Sequence, residues 1–146
     1  CRVLGYRRHP VPTEGIEFVS LEELLRQSDI VSLHCPANEE TKGLMNRERI
    51  GWMKPGALLI NTARGAVVDS EALAEALKSG ALGGAGIDVF EMEPPIPQDH
   101  PLLHTPNTLV TPHVAFATRE SMEARAEIVF GNLKAWMDGQ PRNLVL

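Results

Sequence analysis

The sequence is poor in cysteine and in aromatic residues, and it lacks any long apolar run. Its two cysteines, Cys1 and Cys35, match neither a disulfide framework nor a metal-ligand spacing. Apolar residues make up 43% of the chain, in runs too short to cross a bilayer. These absences exclude a disulfide-stabilised scaffold, a cysteine-based metal site and a membrane span. They favour a reducing compartment, and we expect the cytoplasm.

An excess of basic residues is also missing. The net charge of −5 would repel a polyanion, and most basic residues alternate with acidic ones. We therefore expect small-molecule partners and no nucleic acid. At 146 residues the chain is long enough to build one hydrophobic core.

The chain opens on Cys1 rather than on Met, and the apolar pattern of Val3 and Leu4 follows within two residues. The residues after Gly139 follow a helix stop and have the composition of a tail. We expect the chain to be a piece of a longer protein, with the missing segment upstream.

Short runs of Val, Ile and Leu alternate with helix-like stretches along the chain. This alternation predicts an α/β fold, a Rossmann-like parallel sheet with crossover helices. Several runs are apolar at consecutive positions, which predicts strands covered on both faces. The predicted strands are Arg2 to Tyr6, Ile30 to His34, Leu58 to Asn61, Ala85 to Val89 and Thr108 to Val110.

The predicted helices have recognisable start and stop signals. The last is a long helix whose apolar residues recur at helical spacing, which predicts one buried stripe. Between helices, five prolines from Glu93 to Pro106 predict a rigid irregular loop. The capping box of Ser20 and Glu23 opens the first helix, and the second runs from Asn46 to Met53, before the Lys54-Pro55-Gly56 turn. The third begins at Asp69 or Ser70 and runs through Lys78, and Gly80 can end it. The fourth runs from Thr118 to Asp138, and Gly139 ends it.

Polar residues follow the carboxyl ends of the predicted strands, where ligands bind in open α/β sheets. Arg64 follows the third strand, Glu91 and Glu93 follow the fourth, and His113 follows the fifth. Such a set suits hydride transfer to a 2-ketoacid. The arginine pairs with the substrate carboxylate, the histidine exchanges the hydroxyl proton and an acid orients the imidazole. A cofactor carries the hydride itself.

Three segments resemble the signature blocks of the D-isomer-specific 2-hydroxyacid dehydrogenases in sequence, order and spacing. They are residues 61–65 (NTARG), 86–94 (GIDVFEMEP) and 111–113 (TPH), and the weaker block 32–36 (SLHCP) supports them. The resemblance covers nearly the whole chain. It implies that residues 1–117 are the second half of a coenzyme domain, and that residues 118–146 pack with a substrate domain absent from this chain.

The resemblance also implies the site residues, a cofactor (NAD or NADP), a small 2-ketoacid or 2-hydroxyacid substrate and a homodimer for the intact protein. The implied catalytic residues are Arg64, His113 and Glu93. Arg64 binds the substrate carboxylate and carbonyl, His113 is the acid/base, and Glu93 is the partner of His113. The other cofactor contacts are Asp88 beside the nicotinamide, Thr62 and Ala63 along it, and Cys35, Pro36 and Thr41 at its adenosine half.

The chain departs from the family pattern in two places. The glycine-rich phosphate loop belongs upstream, because the glycines at 80, 83, 84 and 86 lead into a strand rather than a helix. The chain alone is therefore expected to bind cofactor poorly and to catalyse nothing. The second departure is Arg7, followed by Arg8, where NAD-selective members carry an acid. This pair favours NADP.

Other interpretations stay open from the sequence. Arg64 could pair with a surface acid, Glu93 could be a solvated carboxylate, and Arg7 with Arg8 could be a solvated basic edge. Asp88 could cap a local turn, and Cys35 could be a small buried apolar residue. For the whole protein, the alternative is a nucleotide-sensing interaction module like the corepressors that resemble this family, since fold alone does not exclude it. A methyltransferase is disfavoured, because it has no use for the arginine, acid and histidine.

Overall fold

The structure is a computed structural model that describes residues 1–92 and 95–145. It contains two compact units, residues 1–113 and 114–146, which are described separately. The strands are β1 (Val3–Gly5), β2 (Ile16–Phe18), β3 (Ile30–Leu33), β4 (Leu58–Asn61), β5 (Gly84–Ile87) and β6 (Thr108–Val110). The α-helices are α1 (Leu21–Gln27), α2 (Arg47–Ile50), α3 (Ser70–Lys78) and α4 (Arg119–Met137), and 3-10 turns cover Gly65–Val67 and Pro101–His104.

Every strand pairing among the described residues is parallel, which confirms the predicted Rossmann-like α/β class. The strands form two sheets instead of one. β1 pairs only with β2, and the larger sheet has the order β3-β4-β5-β6. In the larger sheet Asn61 lies level with Ile87, and Ile87 with Val110, so the segments after β4, β5 and β6 leave the sheet at one edge.

The predicted strand bounds are correct for β4 and β6, while β1 and β3 are shorter than predicted by one residue at one or both ends. β5 begins and ends earlier than predicted, so Asp88 and Val89 lie beyond the strand. β2 was not predicted, because three residues interrupted by Glu17 give too short an apolar run for a strand signal.

The core lies on one face of the larger sheet. Leu25 of α1, Leu59 of β4 and Leu73 of α3 are fully buried there. The opposite face is open, since Ile30 is 61% and Leu109 is 71% exposed. The prediction that these strands are covered on both faces is therefore wrong for this chain. Alternate side chains point to opposite faces of a sheet, and apolar composition does not show which segment covers each face.

The helix signals of the sequence are confirmed at several ends. Ser20 caps α1, and the Asp69 side chain accepts a hydrogen bond from the Ala72 N–H at the start of α3. Gly80 follows α3 with φ of 75°, as expected of a residue that ends a helix. The proline-rich segment is less irregular than predicted, because Pro101 starts a 3-10 turn, as proline can at a first helical position.

The second unit consists of α4 and its flanking segments. Thr118 and Ser121 form a capping box at its start, and Gly139, with φ of 73°, ends it as predicted. The predicted buried stripe is wrong for this chain, since Leu133 is 52% and Trp136 is 68% exposed. A single helix cannot bury its own apolar stripe. Among the described residues, no helix has both the length and the apolarity that a bilayer crossing requires.

Candidate active site

Three segments meet where β4, β5 and β6 end, and they enclose a cavity of about 360 Å³. Arg64, Asp88 and His113 all line this cavity, one from each segment. The predicted convergence of a guanidinium and an imidazole is therefore observed for Arg64 and His113. The carboxylate of the wall is Asp88, and Glu91, one of the two acids predicted to join them, does not line the cavity. Much of the remaining wall is apolar, formed by Val89, Phe90, Met92, Ile96, Leu103 and Val110.

The turn that carries Arg64 is built on Asn61, the last residue of β4. The Asn61 side chain is almost completely buried. Its Oδ1 accepts a hydrogen bond from the Ala63 N–H at 3.1 Å, and its Nδ2 donates to the Arg64 carbonyl at 3.1 Å. Thr62 and Ala63 are part of this turn but lie outside the cavity wall. The Arg64 guanidinium donates to the Ala63 carbonyl at 2.6 Å.

Gly65 allows the Arg64 turn to pack directly against the segment after β5. A Cβ atom at position 65 would lie 1.8 Å from the carbonyl carbon of Phe90, a distance that no side chain could accept. Gly65 is itself buried. The backbone that follows Arg64 is therefore held against the Phe90-Glu91 peptide by contact that requires glycine.

Hydrogen bonds to residues at the ends of two neighbouring strands hold Asp88 in place. The residue is 3% exposed, and its carboxylate accepts a hydrogen bond from the Thr111 hydroxyl. Its backbone N–H donates to the Asn61 carbonyl at 3.0 Å, and the Thr111 N–H donates to the Ile87 carbonyl at 2.9 Å. Asp88 is thus a fixed carboxylate at the cavity, not a mobile surface acid.

His113 adopts a left-handed backbone with φ of 57°, and its side chain is exposed. Few non-glycine residues adopt positive φ, and such conformations concentrate at functional sites. His113 and the preceding Pro112 both border the cavity. Glu93, the third predicted catalytic residue, lies outside the described residues.

The sequence model described as "D-isomer specific 2-hydroxyacid dehydrogenase, NAD binding domain" matches residues 1–115. The chain belongs to this family. The resemblance inferred from the signature segments is therefore confirmed over most of the chain.

Individual relatives of the chain agree with the family match. A glyoxylate reductase of Korarchaeum cryptofilum is 49% identical over 99% of the chain and 45% of its own length. A crystal structure of D-lactate dehydrogenase with NAD+ from Lactobacillus jensenii superposes with a TM-score of 0.88 at 31% identity, over 99% of this chain and 48% of that one. An acyclic imino acid reductase (Bsp5) in complex with NADPH and D-Arg superposes with a TM-score of 0.87 at 32% identity, over 99% of this chain and 46% of that one. The chain thus spans about half the length of these relatives.

The residues predicted at the adenosine half of a cofactor lie after β1 and β3, outside the cavity wall. In the segment after β3, the Thr41 hydroxyl donates to the Pro36 carbonyl and accepts from the Asn38 N–H at 2.9 Å, so Thr41 closes this loop on itself. Burial, the larger effect, raises the pKa of the Cys35 thiol, while a backbone hydrogen bond lowers it. Cys35 therefore stays an uncharged thiol, as a small half-buried residue would.

Arg7 and Arg8 are both exposed after β1. The Arg8 guanidinium forms an ion pair with the Glu40 carboxylate, which joins the segment after β1 to the segment after β3. Exposed ion pairs of this kind contribute at most about 1 kcal/mol to stability.

Sequence reasoning missed several residues that shape the site. The signature segments contain Asn61, Gly65 and Thr111 without a predicted role. These residues fix the Arg64 turn, its packing on Phe90 and the Asp88 carboxylate. The available signal was their position at a strand end beside a candidate catalytic residue. The apolar wall had no such signal, because it is built from residues far apart along the chain.

Proposed function

We propose that this chain is the carboxyl-terminal part of the coenzyme domain of an enzyme that interconverts short 2-ketoacids and D-2-hydroxyacids with NAD or NADP. The observation that carries this proposal is that Arg64 and His113 line the same cavity. The signature segments and the reductases and dehydrogenases among the relatives support it.

The cavity suits a nicotinamide ring and a small acid beside it. Its volume of about 360 Å³ lies in the ordinary range for ligand pockets, and an apolar wall with a few fixed polar groups is their common design. The flat ring would pack along the apolar wall, with Asp88 at its edge as one polar contact. Thr62 and Ala63 would border the cofactor at the end of β4, and Cys35, Pro36 and Thr41 would border its adenosine half.

Each of the proposed catalytic residues has its own role in the reaction. A reduced nicotinamide, when bound, supplies the hydride to the carbonyl carbon. The Arg64 guanidinium can release the Ala63 carbonyl and pair with the substrate carboxylate, which orients the carbonyl group. His113 donates a proton to the carbonyl oxygen, so that the C=O group, with the hydride on carbon and the proton on oxygen, becomes CH–OH. Glu93 is proposed as the acid that orients His113, and the reverse direction returns the proton to His113.

Arg7 favours NADP over NAD, because its guanidinium is exposed after β1 where a ribose phosphate would bind. Arg8 is already paired with Glu40, so Arg7 is the better candidate. The Arg7→Ala variant should lose about tenfold or more in kcat/KM with NADPH and little with NADH, the usual value of a charge-assisted hydrogen bond. Arg2→Ala is the matched control, since Arg2 binds Glu17 and Gln27 instead. A strong preference of the wild type for NADH would contradict the assignment.

Residues 118–146 are proposed to pack with a substrate domain, which would cover the exposed apolar side chains of α4. The intact enzyme is expected to be a cytoplasmic homodimer, which size-exclusion chromatography and cell fractionation can test. Residues 1–146 alone are expected to be inactive, because the phosphate loop is not among them.

The decisive experiment mixes the full-length protein with NADH or NADPH and with glyoxylate, hydroxypyruvate or pyruvate. Loss of reduced-cofactor absorbance together with formation of the D-hydroxyacid, where the product is chiral, is the expected result. Cofactor binding without any turnover on these acids would instead favour the interaction-module alternative.

A further inference from the structure

A polar cluster lies next to the cavity wall, and none of its three residues lines the cavity. It consists of Ser70 at the start of α3, Glu91 in the segment after β5, and His100 before the 3-10 turn. The Ser70 hydroxyl donates to one carboxylate oxygen of Glu91 at 2.9 Å, and the other oxygen lies 3.1 Å from His100 Nε2. His100 is 4% exposed, whereas Glu91 keeps one edge in solvent.

The hydrogen bonds of His100 indicate the tautomer of its ring. The Leu102 N–H donates to His100 Nδ1 at 3.3 Å, so Nδ1 carries no proton. The proton of the neutral imidazole is then on Nε2, which donates to Glu91. Glu91 accepts from both partners as an ionised carboxylate. The Phe90 ring packs edge-on against the imidazole, with the ring centres 5.0 Å apart.

The cluster is linked to the cavity through Glu91 itself. Its neighbours Phe90 and Met92 form cavity wall, and Leu103, three residues after His100, forms more of it. The Phe90-Glu91 peptide also rests on Gly65, which directly follows Arg64. A shift of Glu91 would therefore move the apolar wall and the support of the Arg64 turn together.

We propose that Glu91 is a positioning residue, whose hydrogen bonds from Ser70 and His100 hold the segment after β5 in the geometry that the reaction needs. This inference rests on the proposed function. It assigns Glu91 no contact with substrate or cofactor. A displacement of about 1 Å in catalytic geometry can cost about a hundredfold in rate, so the hydrogen bonds have a measurable effect on turnover.

The test compares Glu91→Ala, Glu91→Gln and Ser70→Ala in the full-length enzyme, well below each variant's melting temperature. A glutamine can accept from His100 and donate to Ser70, so Glu91→Gln should stay within about threefold of the wild type. Glu91→Ala should lose about tenfold to a hundredfold in kcat/KM for the ketoacid, while the Kd of NADH, measured by fluorescence, changes little. Ser70→Ala should fall between them, and Ser79→Ala, at the other end of α3, is the control.

A second readout does not depend on activity. Hydrogen exchange of the cofactor-free protein should show faster amide exchange in residues 96–104 of Glu91→Ala and unchanged exchange in Glu91→Gln, because the hydrogen bonds are lost only in the first. If Glu91→Ala retains wild-type kcat/KM, or if Glu91→Gln is as impaired as Glu91→Ala, the proposal is overturned. A wild type that reduces no ketoacid refutes the proposed function instead, and the exchange data still report on the cluster.

Discussion

The Thr111 hydroxyl donates a hydrogen bond to the Asp88 carboxylate, and this contact ties the end of β6 to the end of β5. His113, two residues further on, therefore leaves a strand end that is fixed relative to Asp88. Arg64 is fixed on the other side through Asn61, whose carbonyl accepts from the Asp88 N–H. The three polar groups of the cavity thus share one hydrogen-bonded frame.

Replacing His113 by Asn should separate the chemistry of this residue from its backbone. Asparagine also adopts left-handed φ, so the fold should lose little stability. Turnover of the full-length enzyme should fall by about two to four orders of magnitude, the usual contribution of general acid-base catalysis. Steady-state kinetics and thermal unfolding measure the two effects. Near-normal turnover would remove His113 from the mechanism.

Replacing Arg64 by Lys should preserve the charge and lose the two-pronged pairing with a carboxylate. We expect KM for the ketoacid to rise by about tenfold or more, and Arg64→Gln to be worse still. The turn itself should persist, since the Asn61 side chain holds it through backbone atoms of residues 63 and 64. An unchanged KM in both variants would show that the guanidinium does not bind the substrate.

Replacing Gly65 by Ala should destabilise the fold, because the new methyl group would lie 1.8 Å from a backbone carbon of Phe90. Overpacking of this kind costs typically about 1–3 kcal/mol, and a clash with backbone belongs at the upper end. Gly86→Ala is the matched control. Its Cβ would meet the tip of the Ile60 side chain at 3.1 Å, which can move. Urea unfolding should show a much larger loss for Gly65→Ala, and equal losses would contradict the packing argument.

Acid should weaken the Glu91 cluster. Burial raises the pKa of the Glu91 carboxyl, but hydrogen bonds from its own backbone, Ser70 and His100 outweigh burial, and the pKa lies below its ordinary value. The ionised group therefore stabilises the fold above its unfolded pKa of about 4.3, and that contribution is lost as pH falls through the lower folded pKa.

Glu91→Gln, which cannot titrate, provides the comparison for this pH dependence. Thermal unfolding of both proteins should show a wild-type advantage that is constant above about pH 5 and shrinks below about pH 4. An advantage that stays the same across this range would mean that the Glu91 charge does not contribute to stability.

The sequence predicted those features that depend on neighbours along the chain. The bounds of β4 are correct because the Lys54-Pro55-Gly56 turn precedes the strand, and Asn61 with Thr62 follows it. The meeting of Arg64 and His113 was predictable because both follow parallel strands. Contacts between distant segments were not predictable, such as Gly65 on Phe90 or Ser70 on Glu91, since no local pattern encodes them.

The open face of the larger sheet, with Ile30, Leu58 and Leu109 exposed, affects how residues 1–146 behave when produced alone. Apolar surfaces of this kind promote self-association. Such a preparation should become turbid as it is concentrated, and mild detergent or low temperature should delay that precipitation.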